Sequence, residues 1–156
     1  MADLAVNKDM AAASRREPRD IIDLLTLHER VLPLAAIVWA GVNIAPGYTP
    51  EGLIAEVRRN VRYPAEELCQ IASDKPIDPA SVMRRLGAAL GQAEQFVAAM
   101  PSDMAGLRFL HNGRPVQPEP ERLESYTKHA PHRRGHWPSS PEITTAMLDH
   151  LQKLEF

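Results

Sequence analysis

The chain has 156 residues, 44% of them hydrophobic and 24% charged, a balance that suits one globular domain able to bury a core. Its net charge of −2 excludes a global basic field for nucleic acid, so any polyanion must be met by a local patch. The single cysteine, Cys69, excludes a disulfide framework and a cysteine-rich zinc site within the chain.

The opening MADLAVNKDM has no uninterrupted apolar stretch of the kind a secretory signal needs. The longest apolar run, residues 31 to 42, contains Pro33 and is too short to span a bilayer. A cytoplasmic protein with no membrane partner is the expectation.

Fourteen prolines punctuate the chain rather than filling a linker. Proline is tolerated in the first helical turn and breaks a helix interior, so these positions partition the sequence. Residues 3 to 15 are Ala-rich and suit a helix. Residues 18 to 30 place Ile21, Leu24, Leu25 and His28 at helical spacing, with Ile22 widening the face. Residues 33 to 43 are apolar nearly all round, which predicts a helix in the centre of the domain with Trp39 buried as a structural residue.

Residues 49 to 62 open with Thr49 as N-cap and Pro50 in the first turn. Leu53, Ile54, Val57 and Val61 form their stripe. A short helix is expected at 64 to 72, with Cys69 as a half-buried apolar residue rather than a nucleophile. A long helix follows at 79 to 100, with Val82, Leu86, Leu90, Phe96 and Val97 on its apolar face. Gly87 and Gly91 within it suggest close approach by another helix.

The period then changes. Asn112 followed by Gly113 is a strong hairpin signal, because a type I′ turn needs positive φ at both central residues. Pro115 assigns the second strand to an edge. Residues 119 to 140 read as a loop rich in proline, histidine and arginine. Residues 141 to 154 close with an amphipathic helix carrying Ile143, Met147, Leu148, Leu151 and Leu154. The predicted fold is mainly α: one helical, bundle-like domain over 1–156 with one small β-hairpin.

Two stretches could carry chemistry. In the first, Lys8, Arg16, Arg19, Asp20 and Asp23 recur across two short helices, and the three-residue spacing of Asp20 and Asp23 gives them one side of a helix. A Lys and a carboxylate converging on one point suit phosphoryl transfer, the carboxylate holding Mg²⁺ and the Lys neutralising phosphate charge. The alternative is an acidic first turn favoured by the helix dipole, beside solvated Arg pairs. In the second stretch, KHAPHRRGHWP, Arg133 and Arg134 sit with Lys128 and three histidines around Trp137. Basic and aromatic residues together can hold RNA or phosphate by charge and stacking. The alternative is a solvated loop anchored by Trp137. Broken by Pro and Gly, the stretch does not bring His129, His132 and His136 to one face, and no metal site is expected.

The segments DLAVNK and RREPRDIIDLLTLHE resemble the latter part of the abortive-infection (AbiEii/AbiGii-like) nucleotidyltransferases, a branch of the polymerase-β-type superfamily. Those proteins carry D-L-A-x-N-K and then R-x-x-x-R-D-x-x-D-L at the start of their helical half. LPLAAIVWAGV, TPEGLIAEVRRNVRY, GRPVQP and RGHWP are similar to the continuation.

The resemblance implies that Lys8 is the active-site Lys, Asp20 its acidic partner, and Asp23 a second, structural acidic position. Arg16, Arg19, Arg133 and Arg134 are the candidates for nucleotide or phosphate contact. The intact family uses Mg²⁺ and a nucleoside triphosphate and opens with G-S-x(n)-D-x-D, which is absent from these 156 residues. The expectation is therefore a C-terminal half, inactive alone, with no cofactor of its own. Its partners would be an upstream catalytic domain, RNA, or a second copy paired through residues 3 to 15. A non-enzymatic interaction module and an RNA-contacting accessory domain are the rival readings.

Overall fold

The computed structural model describes residues 16–43, 47–73 and 76–130. Helix α1 runs over Pro18–Arg30, α2 over Leu34–Gly41, α3 over Pro50–Asn60, α4 over Ala65–Cys69 and α5 over Pro79–Ala99. Strands β1 (Arg108–His111), β2 (Arg114–Val116) and β3 (Thr127–His129) form one antiparallel sheet in the order β2-β1-β3. The protein is mainly helical, as the sequence predicts.

Each helix begins where its first residues direct. Pro18, Pro50 and Pro79 occupy the first turns of α1, α3 and α5, where a missing N–H costs nothing. Thr49 Oγ1 accepts the Gly52 N–H at 3.1 Å, and Asp78 Oδ1 accepts the Ala80 N–H at 3.0 Å. Each cap satisfies a donor the helix itself cannot and contributes about 1 kcal/mol.

All eight residues of α2 are buried. The reason is that α2 divides two apolar clusters. Leu34, Ala35, Val38 and Trp39 face the main core, with Leu24 of α1, Leu53 and Val57 of α3, and Leu86, Leu90 and Phe96 of α5. Ala36, Ile37 and Ala40 face a smaller cluster with Leu27 and Leu32. Trp39 is 2% exposed and meets Phe96 edge-on, with ring centroids 5.9 Å apart.

The joint between α2 and the sheet is closed by hydrogen bonds. Trp39 Nε1–H donates to the Met104 carbonyl at 3.0 Å, and the Gly106 N–H donates to the Trp39 carbonyl at 2.9 Å. Asn43 Nδ2 donates to the Gly106 carbonyl at 2.6 Å. Gly106 has φ +87°, a conformation open mainly to glycine. In the hairpin, Asn112 (φ 50°) and Gly113 (φ 75°) both take the positive φ of a type I′ turn. β2, with Pro115, lies at a sheet edge as expected.

Three expectations need correction. The segment read as loop from 119 to 140 contains a 3₁₀ helix over Pro120–Ser125 and strand β3, which pairs Phe109 with Lys128 and Leu110 with Thr127. A strand of three residues shows no alternation that a sequence pattern could reveal. Its place is fixed by buried Leu123 and by Tyr126, which packs edge-on against Phe109 at 6.3 Å.

Gly87 and Gly91 do not mark a close helix approach among the described residues, since a Cβ at either would meet nothing within 4 Å. Both lie off the buried stripe of α5. Cys69 is exposed, not half-buried, because Leu68 takes the inward position of the short α4. The predicted helices at 3 to 15 and 141 to 154 lie outside the described residues, as does pairing through the former. No helix among the described residues is long and apolar enough to cross a membrane.

Candidate functional site at the start of α1

Asp20 is the third residue of α1 and is 2% exposed, the sole buried charged side chain among the described residues. Burying a carboxylate is costly unless partners compensate. Asp20 does engage a partner, as does Asp23. A first-turn carboxylate also meets the positive end of the helix dipole, which favours its charge. Asp20 thus belongs to the packed interior, and the picture of a solvated acidic surface does not describe it.

Arg16 approaches the same helix end from the preceding segment. Its Nη2 donates to the Arg62 carbonyl at 3.0 Å and lies 3.6 Å from Glu67 Oε1. Its guanidinium stands 5.1 Å from the centre of the Tyr63 ring, within the range of a cation–π contact. Burial pushes the Tyr63 hydroxyl pKa above its ordinary value; Arg16 pulls it down, while Asp20, Glu17 and Glu67 push it further up. Arg16 and Asp20 are therefore each within electrostatic reach of Tyr63. The chain segment before α1, the α3–α4 turn and α4 all supply walls of this corner.

Arg19 and Asp23 face a different groove, an open one lined also by Ile22, Ile71, Ala72 and Ser73. Arg19 is exposed and Asp23 half-buried. The first candidate set thus divides in two: Arg16 and Asp20 share Tyr63 as a neighbour, whereas Arg19 and Asp23 line the separate groove. Trp39 sits in the core, the structural place expected for it. Lys8, Arg133 and Arg134 lie outside the described residues, so their distances to Asp20 are not defined. Lys128, read as part of the basic loop, lies in β3 with Nζ 2.7 Å from Glu124 Oε1.

Tyr63 and Glu67 were not among the residues singled out in the sequence. Nothing in local spacing links residue 16 to residue 63. The only available signal was an aromatic residue closing the basic run RRNVRY.

Among the described residues no three His, Cys, Asp or Glu side chains converge. The corner can hold a buried negative charge beside a guanidinium and a phenol. No family model, curated protein or solved structure matches this chain.

Proposed function

We propose that the chain is the helical portion of a nucleotidyltransferase-like protein of the AbiEii-like kind. It would supply the Lys8 and Asp20 wall of a nucleotide site. The observation that carries the reading is the burial of Asp20. The RREPRDIIDL block resembles that of the family, whose acidic partner matches the one charged residue buried among the described residues.

On this reading Asp20 holds the Lys8 ammonium in place by charge, and Lys8 offsets negative charge on a triphosphate. Arg16, stacked over Tyr63, ties the start of α1 to the turn between α3 and α4 and to Glu67 of α4. The metal-binding carboxylates would come from a G-S-x(n)-D-x-D segment, and no Asp-x-Asp pair occurs in these residues. Transfer from a nucleoside triphosphate to RNA, in a cytoplasmic toxin–antitoxin or phage-defence setting, is what the resemblance implies for the intact protein. This chain alone is expected to transfer nothing.

The test has two arms. The purified chain is incubated with each labelled nucleoside triphosphate, Mg²⁺ and bulk RNA, and no incorporation is expected. Metal-dependent incorporation that Lys8→Ala abolishes would overturn the divided site. In the second arm, ATP and Mg²⁺ are titrated into isotope-labelled chain. Amide shifts confined to Lys8, Arg16 and Asp20 are expected, and shifts elsewhere or none would remove the assignment of this corner.

A further inference from the structure

His28 lies in the last turn of α1, six residues ahead of Leu34. Its Nδ1 accepts the Leu34 N–H at 2.9 Å. Leu34 is the first residue of α2, and Pro33 before it offers no side-chain cap. The first N–H groups of any helix lack partners within it. The imidazole supplies one from the preceding helix, at the start of a helix whose eight residues are all buried.

The contact works in one protonation state only. A neutral imidazole can accept at Nδ1 when its proton sits on Nε2, whereas an imidazolium donates from both nitrogens. Protonation would set an N–H against the Leu34 N–H. It would also place a cation at the positive end of the α2 dipole.

The charged groups that bear on His28 are Glu29 on α1 and Arg85 on α5, and α2 carries no titratable side chain. Arg85 grips Glu29 through two bonds, Nε–H to Oε1 at 2.7 Å and Nη2–H to Oε2 at 2.6 Å. That pairing spends the Glu29 carboxylate on Arg85. Burial holds the His28 pKa below the ordinary histidine value, with Glu29 opposing and Arg85 reinforcing the shift.

We propose that His28 is a proton-sensitive latch: as a neutral imidazole it fastens the N-terminus of α2 to α1, and on protonation it releases that corner. The sign follows from linkage. The unfolded chain binds a proton on this histidine near pH 6.5, while the folded chain resists binding it until a lower pH. Between those two points the unfolded state holds more protons, so stability falls as pH falls. Above that window the latch contributes fully, and below the folded pKa the loss is complete.

The experiment is urea unfolding of the full chain at about pH 7.5 and about pH 5.5, the latter still above the range where ordinary carboxylates titrate. The folding equilibrium constant is expected to drop by up to ~tenfold across the pH unit below 6.5. His28→Asn keeps an acceptor that does not titrate, and its constant should not show that drop. The remaining histidines are common to both chains and cancel in the comparison. An Asn variant with the same loss as the parent would overturn the proposal. Should that variant fail to fold, ¹⁵N shifts of His28 in the parent decide. An Nε2–H tautomer with a midpoint below 6.5 is the expected result, and a midpoint at or above 6.5 overturns the latch.

Discussion

α5 buries Val82, Leu86, Ala89, Leu90, Ala93, Phe96 and Val97 from one continuous stripe, whereas the sheet depends on Phe109 meeting Lys128 across an intervening 3₁₀ turn. The helical body is therefore written into local periods. A helix carries its own backbone hydrogen bonds, so its residues need only an apolar face to find neighbours. The sheet has three short strands, two of them edges, and cannot stand by itself. It is fastened to the body at a joint where Trp39, Asn43, Met104 and Gly106 exchange hydrogen bonds, and by Phe109, which packs into the main core. Two regions of one chain thus differ in what a single substitution can undo.

Trp39 belongs to both regions, so its loss should have the largest effect. Its ring fills the main core against Phe96, and its Nε1–H satisfies the Met104 carbonyl. Trp39→Ala should cost about 3–5 kcal/mol, from lost transfer energy and the cavity left behind. Urea denaturation measures this. A loss below about 1 kcal/mol would show that body and sheet do not share this residue as their joint.

Gly106 tests the joint alone. An added Cβ would lie 2.7 Å from Asn43 Nδ2 and 2.8 Å from its Cγ, on a backbone already at φ +87°. Asn43 would have to move and give up its bond to the Gly106 carbonyl. Gly106→Ala should cost about 2 kcal/mol. Amide exchange should accelerate first in β1, β2 and β3, with α5 still protected. Uniform acceleration of both regions would mean that the sheet is not a separately fastened unit.

The same contrast explains what could be read beforehand. Pro18, Thr49, Pro50 and Pro79 set the starts of three helices through chemistry confined to one turn, and each start was legible. Asn112 and Gly113 announced the hairpin for the same reason. β3 was not legible, because Thr127, Lys128 and His129 become a strand only where β1 offers its free edge. The site divides likewise. Asp20 was singled out in the sequence, but its burial and its neighbour Tyr63 were not legible there. Arg16 and Tyr63 meet over 46 intervening residues through the fold of α3 and α4, and no spacing rule spans that distance.

The smallest effect, and the one of opposite sign, is expected at the glycines within α5. Gly87 and Gly91 occupy the interior of a 21-residue helix with no neighbour within 4 Å of a built Cβ among the described residues. Glycine there forgoes the lower backbone entropy cost that alanine brings to a helix. Gly87→Ala and Gly91→Ala should each stabilise the chain by up to about 1 kcal/mol. The urea midpoint should rise with the slope unchanged, since no additional surface becomes buried. A gain at both positions confirms α5 as a helix whose outer face is free to carry side chains. A loss at either would mean that a methyl group there meets something. The candidates would be a segment outside the described residues or a second copy of the chain. Repeating the measurement across a concentration series separates them, because a penalty that grows with protein concentration belongs to a contact between copies.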